Sequence, residues 1–369
     1  MTEDIDEQIK KIEEEIRNTP YNKSTEQHIG RLKAKIAKLK EKKEKREKGK
    51  SEGGGGYDIR KEGDATVAFV GPPSVGKSTL LNKLTNAESE VANYHFTTLE
   101  VIPGIMEHNG AEIQLLDLPG LVEGASEGKG RGKEIISVTR NVDLLLIMGD
   151  VYRKDVSGIV EELKSHGIRL NQKPPEIKIK GKDKGGLKIT STVDQEMIEE
   201  GTIKDILREF GYLNADVVLR SKIDTQDLID YLSDNRVYLK AFPVINKIDL
   251  IDEGEKDNLT DQLSEQGFTD PLLISAEDGR GLKKIKKRIF DELDFIRIFL
   301  RPQGEKAEDE PMVLKKESTI EDVCRNLHTD FLEDFRYARI WGPTAKFPKQ
   351  RVGLDHKLEE GDTVRIITK

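Results

Sequence analysis

The residues best placed to do chemistry form one eight-residue stretch, Gly71-Pro72-Pro73-Ser74-Val75-Gly76-Lys77-Ser78. A glycine, four residues and then Gly-Lys-Ser is the spacing with which a backbone curls around phosphate. The glycines permit the turn, the N–H groups of Gly71 and of Ser74 through Thr79 converge on phosphate oxygens, Lys77 reaches the outer phosphates, and the Ser78 hydroxyl ligates Mg²⁺. Two elements must hold this loop. The apolar run Ala65 to Val70 predicts a strand before it and Thr79 to Leu84 a helix after it, so the helix N-terminus adds its positive dipole end.

Further constellations lie downstream. Ile113 to Leu116 predicts a strand that ends in Asp117-Leu118-Pro119-Gly120. A carboxylate at the C-terminal end of such a strand is placed to serve Mg²⁺, and Gly120 can present its N–H to a γ-phosphate. Ala241 to Ile245 leads into Asn246-Lys247-Ile248-Asp249, the residue set that reads guanine. Asp249 would accept from the ring N1–H and the exocyclic amine, Asn246 would hold the loop and base edge, and the Lys247 stem would cover the ring. Adenine offers no such donor pair, which makes the expected nucleotide GTP or GDP. Ser275-Ala276, after a predicted strand Leu272 to Ile274, falls where a backbone N–H would meet the guanine carbonyl.

The whole chain must carry these pieces. Its 369 residues suffice for two or three domains, and 35% of them are charged, with a net charge of −8. The single cysteine, Cys324, forms no intramolecular disulfide, and six scattered histidines show no metal-ligand spacing. The acidic start, Met1 to Asp4, is no secretory signal, and the longest apolar run, near Val142 to Met148, is far short of a membrane span. A cytoplasmic protein without a membrane partner is expected.

Ile5, Ile9, Ile12 and Ile16 predict an amphipathic helix over residues 3–17, ended by Thr19-Pro20. Ser24 with Gln27 reads as a capping box for a second helix, with Ile29, Leu32, Ile36 and Leu39 on one face. Residues 31–50 hold eleven Lys or Arg against three Glu, a cationic helix suited either to solvent or to RNA phosphates. The four glycines after Glu52 make a linker. Asp117 and Asn246 lie 129 residues apart, roughly twice what one strand, one helix and one more strand need. Residues 164–238 fill the difference, with Glu176 to Lys180 and Gly186 to Thr190 alternating like a hairpin, helical stretches around Asp194 to Phe210 and Thr225 to Ser233, and a strand Asp216 to Arg220. After Arg301-Pro302, a strand Met312 to Lys315, a capping box Ser318 to Glu321 and strands at Tyr337 to Trp341 and Thr363 to Ile367 predict a β-grasp module. There Lys346, Lys349 and Arg351, near Trp341 and Phe347, form a basic loop suited to RNA.

Taken together, Gly71 to Ser78, Tyr94 to Leu99, Asp117 to Gly120, Asn246 to Asp249 and Ser275-Ala276 resemble the five G boxes of an Obg-type GTPase. The basic helical hairpin, the insertion and the terminal module resemble the developmentally regulated GTP-binding protein family across essentially the whole chain. The resemblance implies an α/β fold: a P-loop GTPase domain with a mostly parallel sheet and helices on both faces (63–163 and 239–300). It also implies a helical hairpin (1–50), a linker (51–62), an inserted α+β domain (164–238) and a TGS domain (301–369). It further implies Mg²⁺-dependent hydrolysis of GTP, action on ribosomes in translation through rRNA or tRNA rather than DNA, and room for a stabilising protein partner. Lys77, Gly120 and either Thr97 or Thr98, with Thr98 favoured, would act on the γ-phosphate. Ser78, Asp117 and that threonine would serve the metal. Leu121 stands where Ras-like proteins keep a water-orienting glutamine, and an aliphatic side chain cannot polarise water. Related K⁺-activated GTPases carry asparagine where this chain has Ser74, which leaves K⁺ open. The competing reading is a GTP-gated scaffold on RNA or the ribosome, in which hydrolysis is incidental.

Overall fold

The computed structural model describes residues 5–23, 25–48, 63–85, 92–93, 100–118, 131–233, 236–265, 270–302 and 307–369. They fall into two compact units, Met1–Gly56 with Leu163–Tyr238, and Tyr57–Glu162 with Leu239–Lys369. No helix among the described residues is long and apolar enough to cross a membrane.

The second unit carries the phosphate loop. Its main sheet runs Leu272–Leu273, Val237–Asn246, Leu144–Asp150, Ala65–Val70, Ala111–Asp117, Glu100–His108 and Ala92–Asn93. The first five of these strands are mutually parallel, and the last two add antiparallel to the far edge. Ala65–Val70 and Leu144–Asp150 are buried along their full length. That is the pattern of central parallel strands covered on both faces, and it explains their unbroken apolar sequence. Leu80, Leu81 and Leu84 of the helix Lys77–Leu84 pack into the same core as Phe69, Leu115 and Leu146. Because these strands are parallel and in register, their C-terminal ends share one edge of the sheet. Residues 71, 117, 150 and 246 therefore meet there.

The same unit holds a second sheet, in the order Met312–Lys315, Phe295–Leu300, Thr363–Thr368, Phe335–Trp341 and Gln350–Val352. Helix Ile320–Leu327 packs Ile320, Val323 and Cys324 against Ile298, Ala338, Ile340 and Val364. This sheet begins one strand earlier than expected: Arg301-Pro302 ends Phe295–Leu300, which belongs to the sheet, instead of preceding its first strand. The helix cap is also displaced by one residue. Thr319 and Asp322 form the reciprocal box in place of Ser318 and Glu321, because Ser318 donates its N–H to Lys315 in the preceding turn.

In the first unit, helix Glu26–Lys48 lies along helix Glu200–Glu209, with Ala34 in one core with Ile203, Ile206 and Leu207. Ser24 lies outside the described residues. The Gln27 amide donates to Asp205 at 2.7 Å on the neighbouring helix. The expected hairpin is absent. Ile177–Gly181 and Leu187–Ser191 each pair with Ala215–Leu219, one antiparallel and one parallel, so the later strand lies between them. Ala215–Leu219 alternates buried and half-buried, whereas its neighbours are mostly exposed. The more apolar strand takes the centre, and Asn214 ties the connecting loop to it through Gly186 N–H at 2.8 Å. The predicted helix over 194–210 forms only from Glu200, and the stretch before it is irregular.

Candidate nucleotide-binding site

The phosphate loop is shaped from outside. Lys77 Nζ donates to the carbonyls of Gly71 and Pro72 at 3.1 and 3.0 Å. The Arg153 guanidinium donates to Pro73 O at 2.5 Å, Lys247 Nζ to Ser74 O at 2.8 Å, and Asn246 Nδ2 to Val75 O at 2.9 Å. Gly76 O accepts the first helical bond, from Leu80 N at 2.9 Å. Every carbonyl from residue 71 to 76 therefore has a donor. In a trans peptide the C=O and the following N–H point in opposite directions. Holding the carbonyls outward turns the N–H groups of Ser74, Val75, Gly76 and Lys77 the other way, into the mouth of the loop. The two positions whose N–H would follow the Lys77-held carbonyls are Pro72 and Pro73, which have none.

The backbone at this turn is specialised. Ser74 sits at φ 65° and Gly76 at φ 92°. A Cβ on Gly76 would lie 2.3 Å from Asn246 Nδ2, so glycine is required there for space as well as for conformation. Asn246 is 3% exposed and joins two loops, since its Oδ1 also accepts the Ala276 N–H at 2.9 Å.

At the mouth of the loop the Ser78 hydroxyl donates to Asp117 Oδ2, while Asp117 Oδ1 is buried without a partner among the described residues. Burial pushes the Asp117 carboxyl above its ordinary range, against the opposing pull of Ser78 and Lys77. Burial likewise lowers Lys77, with Asp117 partly restoring it. The protein alone compensates neither charge fully; a polyphosphate beside Lys77 and a divalent cation beside Asp117 would do so. One hydroxyl and one carboxylate oxygen are also the sparse, hard donor set that suits Mg²⁺, which keeps most of its ligands as water and phosphate. The site residues therefore fit that ion.

The expected residues do not all behave alike. Gly71, Ser74, Val75, Gly76, Lys77, Ser78, Asp117, Asn246 and Lys247 converge on this edge. Thr79 follows Ser78 inside the helix. Asp249 stands exposed in the short turn Ile248–Leu250, free to meet a base edge. Ser275 and Ala276 differ from expectation. Ser275 N–H is engaged by Arg280 O and Ala276 N–H by Asn246, so both positions build the loop instead of offering a free N–H to guanine. Thr97, Thr98, Gly120 and Leu121 lie outside the described residues.

Sequence reading missed two participants. Asp150, 3% exposed, accepts Lys247 Nζ at 2.6 Å and the N–H groups of Tyr152 and Arg153 at 3.1 and 2.8 Å. Burial would raise its carboxyl, but these donors outweigh burial and hold it below the ordinary range. The available signal was its place at the end of a buried parallel strand beside the one that feeds the loop. Arg153 carried no sequence signal.

Comparison with known proteins agrees with this geometry. Residues 66–180 match the family described as 50S ribosome-binding GTPase, residues 184–295 the C-terminal region of the MMR_HSR1 domain, and residues 296–368 the TGS domain. An uncharacterised GTP-binding protein of Methanocaldococcus jannaschii is 53% identical, over 99% of this chain and 93% of its own. A developmentally-regulated GTP-binding protein 2 homolog of Dictyostelium discoideum is 41% identical, over 98% and 99%. Among solved structures, Era of Aquifex aeolicus bound to GDP and aluminium fluoride is 19% identical over 75% of this chain and 71% of that one; its TM-score of 0.33 is too low to carry an argument. On the strength of its full-length relatives, the chain belongs to the developmentally regulated GTP-binding protein family, GTP-binding GTPases with a P-loop domain and a C-terminal TGS domain.

Proposed function

We propose that this GTPase is a slow switch that hydrolyses GTP to GDP and phosphate with Mg²⁺ and acts on ribosomes in translation, in the cytoplasm. The observation that carries the reading is the phosphate loop itself. The carbonyls of Pro73, Ser74 and Val75 are engaged from outside, the N–H groups that follow them face inward, and the unmatched Asp117 oxygen and the guanine-reading turn lie on the same sheet edge. Lys77 and the inward N–H groups hold the phosphates, Ser78 and Asp117 hold Mg²⁺, and Asp249 reads guanine. Bound there, Mg²⁺ would neutralise phosphate charge. Thr98, or Thr97 beside it, and Gly120 are assigned to the γ-phosphate. Since Leu121 cannot orient water, the water-positioning group must come from backbone, a monovalent ion such as K⁺, or a partner, and the intrinsic rate is therefore low.

Three surfaces support an RNA partner. Lys42, Lys45 and Arg46 are exposed on helix Glu26–Lys48. Lys178, Lys180 and Lys188 are exposed on the uncovered face of the three-stranded sheet. In the terminal sheet, Arg351, Arg339 and Arg365 stand directly opposite one another on adjacent strands. None of these three has a carboxylate partner among the described residues. Like charges in such register destabilise a sheet, and a phosphate backbone would relieve them. Arg351 lies 4.0 Å from the Tyr337 ring centroid and Arg365 5.7 Å from that of Trp341, an alternation of guanidinium and ring suited to stacked bases. In this reading residues 1–50, 164–238 and 301–369 grip rRNA or tRNA, and the GTPase domain, 63–163 with 239–300, sets when they do.

The test is co-sedimentation with ribosomes in GDP, GTP or a non-hydrolysable analogue, together with turnover measured with and without ribosomes. Nucleotide-dependent sedimentation and a low turnover raised by ribosomes are expected. Fast turnover of the isolated protein that ribosomes leave unchanged would defeat the reading. A hydrolysis-dead variant that binds GTP and retains cellular function would favour the scaffold alternative.

A further inference from the structure

We infer that Arg153 is a positioning residue of the phosphate loop and that Asp150 is the post on which it and Lys247 are both mounted. The inference rests on the nucleotide-binding reading of Gly71 to Ser78 and assigns a task that the loop motif does not contain.

Ser74, Val75 and Gly76 are the loop residues whose N–H groups are aimed by side chains from elsewhere, through the carbonyls one residue earlier. Two of the three donors, Asn246 and Lys247, come from the guanine-reading turn. The third is Arg153, whose Nη1 holds Pro73 O at 2.5 Å. Pro73 O and Ser74 N–H belong to one planar unit, so Arg153 fixes the direction of the first aimed donor. Ser74 needs this help more than its neighbours. It is a non-glycine residue at φ 65°, a conformation disfavoured for L-residues that persists where surrounding contacts impose it.

Arg153 reaches the loop because the chain reverses tightly after the Leu144–Asp150 strand. Asp150 and Arg153 exchange backbone hydrogen bonds, 3.3 Å from Asp150 N and 3.0 Å from Arg153 N. Asp150 Oδ1 also accepts the N–H groups of Tyr152 and Arg153. A Cβ at Gly149 would stand 2.6 Å from Arg153 O, so the reversal depends on glycine. The other carboxylate oxygen, Oδ2, takes Lys247 Nζ, which in turn holds Ser74 O. One buried carboxylate thus orients both donors that bracket residue 74, one from the base-reading turn and one from outside any recognised motif. The guanine site and the phosphate cradle are mechanically joined through Asp150.

The experiment is competition of GTP, GDP, GMP and guanosine against a fluorescent GDP analogue, on the full chain and on Arg153→Ala, Arg153→Lys and Asp150→Asn. A charged donor to a carbonyl at a partly exposed site supports a loss of about tenfold in affinity. For Arg153→Ala that loss is expected for GTP and GDP, with guanosine unchanged, and Arg153→Lys should recover most of it by keeping one donor. Asp150→Asn should weaken all four competitors, since it loosens Lys247 as well. General damage to the fold would lower guanosine together with GTP in Arg153→Ala, and that outcome overturns the inference. So does GTP and GDP affinity in Arg153→Ala within twofold of the unaltered chain. An unaltered chain that binds none of the four would instead refute the nucleotide reading itself, whatever the variants do.

Discussion

Asn246 and Asp249 sit three residues apart in the turn proposed to select guanine, yet one is buried and tied to two loops while the other is exposed. Both hydrogen bonds of the Asn246 amide are to protein: Nδ2 to Val75 O and Oδ1 from Ala276 N, each 2.9 Å and each buried. Asn246→Ala leaves one buried carbonyl and one buried N–H without partners, at about 1–3 kcal/mol apiece. A central value of about 4 kcal/mol would take a large part of a stability on the order of 5–15 kcal/mol. For a domain of this size about 1 kcal/mol moves the Tm by roughly 2–4 °C, so a fall of about 8–16 °C is expected without any nucleotide present. Asp249 is exposed, and Asp249→Asn should leave the Tm of the nucleotide-free protein within about 2 °C while abolishing preference for guanine over adenine nucleotides. The assay is thermal denaturation of both variants without nucleotide, followed by GDP and ADP titration. An Asn246→Ala protein as stable as the unaltered one would refute the claim that this residue is primarily a tie between loops. Unchanged base preference in Asp249→Asn would refute the division of labour.

Asp117 gives a pH signature. Burial raises its folded pKa above the ordinary 3.8, so the stability it contributes is full below that value and is lost as pH rises through the raised pKa. Mg²⁺ requires the carboxylate, so the increment in Tm that Mg²⁺ adds to the GDP complex should grow over the same window, and that growth should vanish in Asp117→Asn; an identical profile in the variant would refute the assignment. In the first unit, Asp230 is 4% exposed and accepts from Arg169, itself 5% exposed, and from Gln226 and Arg236. Asp230→Asn uncompensates a buried guanidinium and should cost about 3–5 kcal/mol in chemical denaturation. Binding of RNA should weaken steeply with salt, and Lys42→Glu with Arg46→Glu should flatten that slope by about two phosphate contacts; an unaltered slope would return this helix face to solvent.

Much of the P-loop domain was legible because its strands are buried on both faces, which leaves runs such as Leu144 to Met148 with no alternation to misread. Three of the five terminal strands were equally legible, whereas Phe295–Leu300 and Gln350–Val352 were not. The inserted segment was not, because alternation reveals which face of a strand is covered and not which strand lies beside it. Leu187–Ser191 follows Ile177–Gly181 in sequence, yet Ala215–Leu219 separates them. The cap at Ser318 was misplaced by one residue because neighbouring Ser, Thr, Asp and Glu residues share the same capping chemistry. At the site, motif spacing picked out Gly71, Ser74 to Ser78, Asp117, Asn246 and Lys247, which the structure brings to one sheet edge. It missed Arg153 because it acts on the back of a carbonyl 80 residues away in the chain, and Asp150 because its distant partner, Lys247, is 97 residues on, where no local pattern marks either contact.

The helix Glu26–Lys48 closes against a segment that follows it at long range: Gln27 meets Asp205 across 178 residues and Lys38 meets Glu209 across 171. During synthesis at roughly 5–20 residues per second, this helix therefore waits about 10–35 s before its packing surface exists. Throughout that interval the face around Ala34 that later packs on Ile203, Ile206 and Leu207 stays uncovered. The chain's own order of synthesis thus makes this helix before the partner that covers it.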